Sequence, residues 1–223
     1  MVSGKLTLDG FQISKSSDEK EIYHFARLDE NLTLAFLMRT DQSGIEASLT
    51  LSMARMAVRL ISEELNVRSP FQILKDLEEY FRINLRRRLT GDFFIVLFDG
   101  LENKLSYCGC GCIKLALCDT RERSVEVVDL PPCEIGSSEF YNLGKQEADM
   151  TENSMIVVLS PIFAGNCQEK LKTMLPSLAM RLREGRPVRP ALQKEAELSC
   201  GKEFTETASL IVAHITPERK ANG

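Results

Sequence analysis

The sequence predicts an α+β fold in which helices cover the outer faces of antiparallel sheets. Two observations carry this expectation. Short apolar runs bounded by turn residues recur at regular spacing from Asp92 to Leu130, as stacked antiparallel strands require. Ahead of them stand two longer stretches with helical apolar spacing, and the chain reads strands, two long helices, strands, helices, final strand. No linker long enough to divide the 223 residues is visible. They are read as one domain, 1–223, with its core between about residues 21 and 215.

The elements follow in order. Lys5 to Leu8 and Phe11 to Ser14 flank Asp9-Gly10, a short-range hairpin signature. Glu21 to Arg27 and Leu32 to Met38 form a second hairpin, turned by Asp29-Glu30-Asn31. From Ile45 to Leu65 the residues Leu49, Met53, Met56, Ala57, Leu60 and Ile61 recur at helical spacing, which predicts an amphipathic helix with that face buried. Ser69 as N-cap and Pro70 at the first position open a second helix running to about Leu89. It buries Phe71, Leu74, Leu77, Phe81, Ile83 and Leu85 or a subset of them. Asp92 to Phe98, Lys104 to Cys108, Cys112 to Cys118 and Ser124 to Leu130 then form a meander. Met155 to Ser160 is another buried strand, ended by Pro161. Helical segments cover Gln168 to Arg183, interrupted near Pro176, and Pro190 to Cys200; Ala208 to Ile215 is the last strand.

Composition narrows the function. A net charge of -4 argues against a nucleic-acid surface, which needs clustered Lys and Arg. The basic cluster Arg86-Arg87-Arg88 reads as a solvated helix end complementing the helix dipole. No apolar run approaches the ~20 residues of a membrane span, and the first residues do not resemble a signal peptide. The expectation is a cytoplasmic protein with no membrane or nucleic-acid partner. Seven cysteines then read as reduced thiols. Cys108, Cys110 and Cys112 share one strand face, and Cys118 shares their parity. They fit small buried residues better than a zinc site, whose paired cysteines stand farther apart in sequence. A redox thiol at Cys112 is the other option. His24 and His214 have no partner at a diagnostic spacing, and Gly109 and Gly111 precede no phosphate-loop lysine.

The informative stretch is Thr40 to Ala47, where an apolar strand turns into the first long helix beside Asp41. A carboxylate at such a junction suits anion or metal chemistry. The same residues also read as a capping box, with Ser43 as N-cap and Glu46 reaching back.

Asp41-Gln42-Ser43-Gly44-Ile45-Glu46 resembles the Asp-Val-Ser-Gly-His-Gly motif that opens the first long helix in the metal-dependent protein phosphatase family (PPM, protein phosphatase 2C type). Ile95 to Phe98 followed by Leu105-Ser-Tyr-Cys-Gly-Cys-Gly-Cys112 is similar to a later signature of its bacterial SpoIIE and RsbU branch. Glu206-Thr207-Ala208-Ser209-Leu210 is similar to the start of the family's last strand, Asp-Asp-x-Thr-Leu.

The resemblance implies an αββα sandwich with a cleft at one end, where a pair of Mn²⁺ or Mg²⁺ ions activates water against phosphoserine or phosphothreonine. Two hard dications held ~3.5–4 Å apart need bridging carboxylates. By the resemblance Asp41 is the bridging ligand, the Gln42 carbonyl the backbone ligand and Glu206 the late acid. Glu21 is the nearest early carboxylate, with Asp18 and Glu19 as rivals. There are departures. Pro161 stands where the family has a metal aspartate, and Ile45 and Cys112 replace its histidines. Carboxylates between Glu139 and Glu152, such as Glu147, Asp149 or Glu152, are the candidates to replace the lost ligand. The implied function is metal-dependent dephosphorylation of a regulatory protein, weak or lost. The alternative is a non-catalytic relative that binds a phosphoprotein, a kinase or an anti-sigma-type partner.

Overall fold

A computed structural model describes residues 4–14, 20–84, 86, 89–133, 135, 137–141, 143, 146–151, 153–161, 167–200 and 207–217. Among them stand strands β1 (Gly4–Ser14), β2 (Glu21–Arg27), β3 (Leu32–Arg39), β4 (Asp92–Asp99), β5 (Lys104–Cys110), β6 (Lys114–Asp119), β7 (Ser124–Asp129), β8 (Gln146–Asp149), β9 (Ser154–Leu159) and β10 (Thr207–Pro217). The helices are α1 (Gly44–Arg59), α2 (Pro70–Asn84), the short α3 (Ser138–Tyr141), α4 (Cys167–Arg183) and α5 (Arg189–Cys200). The strands form two five-stranded sheets, ordered β1-β10-β9-β6-β7 and β2-β3-β4-β5-β8, with every pairing antiparallel.

Strand alternation sorts the side chains into three apolar layers. On β3 Leu34, Phe36 and Met38 face α1 and α2, while Ala35 and Leu37 face the other sheet. Phe94, Val96 and Phe98 meet Leu115, Ile156, Val158, Ile211 and Ala213 between the sheets. Leu171, Leu175 and Leu178 of α4, with Leu192 of α5, cover the far face over Ala116, Val157 and Val212. This is the αββα sandwich expected, with each central strand buried on both sides.

Several local expectations give way to tertiary contacts. Asp9-Gly10 makes no turn: β1 runs straight through it, paired with β10 from Gly4↔Pro217 to Ser14↔Thr207. Gly10 is required there by close approach, since a Cβ would lie 2.8 Å from the Tyr23 ring. Pro176 lies inside an uninterrupted α4, and α2 ends at Asn84, short of the expected Leu89. β8 was not expected, because a polar strand carries no apolar alternation. Gly111, at φ +94, separates Cys112 from β5, and β6 begins only at Lys114.

The first long helix is present, continued by a π-helical turn, Leu60–Glu64. Of the expected buried face only Ala57 and Ile61, with Met53 half-buried, are covered. Ala47, Leu51, Ala54, Ala57, Val58 and Ile61 are buried, whereas Ile45, Leu49, Met56 and Leu60 are 87%, 58%, 70% and 45% exposed. The two apolar stripes have nearly the same spacing and lie two residues, about 200°, apart on the helix. Periodicity could not choose between them. The stripe with three alanines lets the helix approach the sheet closely.

Ser43 sits at the N-cap with extended backbone, but its side chain makes no cap hydrogen bond. Gly44 then takes φ +60, so the chain enters the helix through a left-handed step. An ordinary capping serine loses about 1 kcal/mol on truncation. Ser43→Ala should cost under about 0.5 kcal/mol in urea unfolding; a loss near 1 kcal/mol would restore the capping box.

Candidate functional site

The inner layer of the sandwich is apolar along most of its length and ends in a polar row. Strand parity carries it there: Tyr23, Leu37 and Phe94 face inward, and two residues farther along their strands stand Glu21, Arg39 and Asp92. These three are cross-strand neighbours, Glu21↔Arg39 and Arg39↔Asp92. On the other sheet Ser160 and Ser209 hold the corresponding inward places, below Val158 and Ile211. The Ser160 N–H donates to the Ser209 carbonyl at 3.0 Å and the Ser209 N–H to Ser160 Oγ at 3.2 Å. Gln12 Nε2 donates to the Glu21 carbonyl at 3.0 Å, tying β1 to β2 across the sheets.

Two glycines make the row possible. At Gly91, φ is +124 and a Cβ would lie 2.0 Å from the Arg39 carbonyl oxygen. At Gly111 a Cβ would lie 2.0 Å from Asp92 Oδ1. That oxygen instead accepts the Cys112 N–H at 2.8 Å.

Glu21 is only 1% exposed, and neither of its carboxyl oxygens has a hydrogen-bond partner of good geometry, though Ser209 and Ser160 stand close enough to act on it. Burial pushes its pKa up from 4.5 to about 7, against the opposing influence of Ser209, Arg39 and Ser160. The Arg39 Nε lies 4.0 Å from Glu21 Oε1, and its Nη1 3.7 Å from Asp92 Oδ2. One guanidinium therefore stands between the two acids of the row.

The structure brings some of the expected ligands together and separates others. Thr40 is buried and its N–H donates to the Lys20 carbonyl at 2.9 Å, so Asp41 lies at the same end of the sandwich as Glu21, on an exposed turn. The Gln42 side chain accepts from the Thr50 hydroxyl. Glu206, Asp18, Glu19 and Glu152 lie outside the described residues. Glu147 and Asp149 pair with Ser106 and Lys104. That is the opposite end of the sheet, where Asp99 pairs with Lys104, so neither can take the place of a ligand lost at Pro161. Sequence reading missed Arg39 and Asp92. Their only signal was a charge bounding each of two continuous apolar strands.

The fit to a metal pair is poor. Among the described residues no three Asp, Glu, His or Cys side chains converge as a metal site would require. Asp129, another acid at this end, is paired with Lys114. A dication on Glu21 would sit about 4–6 Å from the Arg39 guanidinium, costing about 5–8 kcal/mol at an effective dielectric near 20. Micromolar affinity is worth about 8 kcal/mol. The donors among the described residues do not fit a bridged dication pair.

The cysteines and histidines lie elsewhere. Cys108 and Cys110 are buried under the α1–α2 layer, and burial pushes the Cys108 thiol up to about 12. Cys118 is buried under α4 and α5, while Cys112 is exposed. His24 faces α1, where burial and then Arg55 lower its pKa. His214 on β10 is lowered by burial.

Two outcomes follow. Between pH 4.5 and about 7 folded Glu21 holds a proton that the unfolded chain releases, so its contribution to stability is lost as pH rises through 7. Glu21→Gln should therefore flatten the pH dependence and gain up to about 3 kcal/mol on wild type at pH 8 in urea unfolding. Parallel pH profiles would refute this. Gly91→Ala should cost roughly 2 kcal/mol or more, because both φ and the Arg39 carbonyl oppose it.

No protein-family model and no curated protein matches the chain. Solved structures do. The SiaA PP2C domain of Pseudomonas aeruginosa superposes with TM-score 0.75 at 14% identity, covering 93% of this chain and 84% of that one. RsbX, solved in complex with magnesium, gives TM-score 0.68 at 11% identity, with 96% and 100% covered. The PP2C phosphatase domain of SpoIIE from Bacillus subtilis, with a fragment of its regulatory domain, gives 0.76 at 12% identity, with 98% and 66% covered. Over nearly its whole length, the chain therefore has the fold of the bacterial PPM phosphatase domains represented by SpoIIE and RsbX.

Proposed function

We propose that this domain serves serine/threonine phospho-regulatory signalling by binding a regulatory protein, a phosphorylated antagonist or its anti-sigma-type kinase, with metal-dependent hydrolysis weak or lost. The observation that carries this reading is the Arg39 guanidinium between Glu21 and Asp92, at the end of the sandwich where the sequence resemblance locates the metal pair. A fixed cation there opposes a dication, and among the described residues the acids at that end are too few to hold two. A protein partner is supported by the exposed apolar stripe Ile45, Leu49, Met56 and Leu60, which lies on the helix leading away from Asp41. The setting is cytoplasmic. Among the described residues no helix is long and apolar enough to cross a membrane.

A second reading, weak Mn²⁺-dependent hydrolysis, has one observation in its favour: the unpartnered buried oxygens of Glu21 at the same end as Asp41. Hydrolysis of a phosphoserine peptide at millimolar Mn²⁺ separates the two. The binding reading expects turnover at the level of buffer, unchanged by Asp41→Ala. Mn²⁺-dependent turnover abolished by that substitution would establish an enzyme.

A further inference from the structure

The Glu21–Arg39–Asp92 row is a built feature. All three residues occupy one cross-strand level of β2, β3 and β4 and face inward by strand parity. Gly91 and Gly111 each leave the room that a side chain would take from Arg39 or Asp92. Thr40 and Gln12 pin the backbone on either side of Glu21. Once ionised, a glutamate 1% exposed whose oxygens lack a hydrogen bond of good geometry needs a positive charge nearby, and the guanidinium stands 4.0 Å away. The same group reaches Asp92 at 3.7 Å while remaining about a quarter exposed. A buried and a half-buried acid facing a fixed cation from two strands are what a divalent ion would otherwise hold together.

We propose that Arg39 is a tethered cation occupying the place between Glu21 and Asp92 that a divalent ion would take, and that removing its charge turns this row into a divalent-cation site. The inference rests on the non-catalytic reading above and deepens it: the charge at position 39 decides whether this end of the sandwich admits a metal. A neutral residue there leaves two carboxylates, with Asp41 at the same end, to bind one hard ion through oxygen and water. A lysine, keeping the charge, leaves the site closed.

The test is Mn²⁺ titration of the full chain at pH 8 by calorimetry and by melting temperature. Wild type and Arg39→Lys are expected to show no saturable heat and no shift. Arg39→Gln should melt below wild type without metal and bind Mn²⁺ saturably. Its melting temperature should rise about 5–10 °C at a concentration about a hundred times Kd. Adding Glu21→Gln to Arg39→Gln should abolish that binding and raise the metal-free melting point, because the unpaired buried carboxylate is gone. A folded R39Q that binds no Mn²⁺, or an R39K that binds as R39Q does, overturns the tethered-cation proposal and leaves the non-catalytic reading standing. Saturable Mn²⁺ binding by wild type, lost in E21Q, overturns both. If R39Q does not fold, the double variant decides: recovery of the fold supports the proposal, and equal instability refutes it.

Discussion

Every central strand in this domain has two apolar faces, and the architecture follows from the need to cover both. Phe36 and Phe93 on one face and Leu37 and Phe94 on the other are fully buried within two adjacent strands. A sheet of that kind cannot present either side to water, so one side takes the second sheet and the other takes helices. Three apolar layers result, and they leave polar chemistry only at the ends of the strands. The charged row is where the inner layer stops, and the antiparallel register fixes its membership. A slip of one residue would turn Glu21, Arg39 and Asp92 toward the helices and bring apolar residues to the end of the cleft.

The same geometry explains why the row is strained electrically but stable structurally. Glu21 is carried inward by a strand whose other residues are held by Tyr23, Phe25 and their contacts, so its burial is imposed by the sheet rather than chosen by the carboxyl. Its raised pKa is the consequence of that imposition. Arg39 offsets part of the cost while reaching toward solvent, as the long arginine stem allows.

Much of the architecture was legible in the sequence. Continuous apolar runs such as Leu32 to Met38 and Phe93 to Phe98 read as buried strands, and Ser69-Pro70 marked a helix start. The failures share one cause, which is information held by a distant segment. Asp9-Gly10 reads as a turn until β10 supplies a partner along its whole length. The buried face of α1 depends on how closely the sheet lets a helix approach, and the alanine stripe answers that only in three dimensions. Glu21 could be named as a candidate from local sequence. Its neighbours Arg39 and Asp92 could not, because they become neighbours only when three strands separated by up to 71 positions fall into register.

The pairing of β1 with β10 places the first and last described strands side by side, through 11 register positions from Gly4↔Pro217 to Ser14↔Thr207. Contacts so far apart along the chain carry the largest loop-closure cost and form slowly. During synthesis β1 is made before every other described strand and has no strand neighbour in its sheet until β10 follows. Such a waiting edge is a template for the wrong strand. The vulnerable moment in the life of this fold therefore comes when all the other described strands have been made and β10, the strand that closes the sheet on β1, has not.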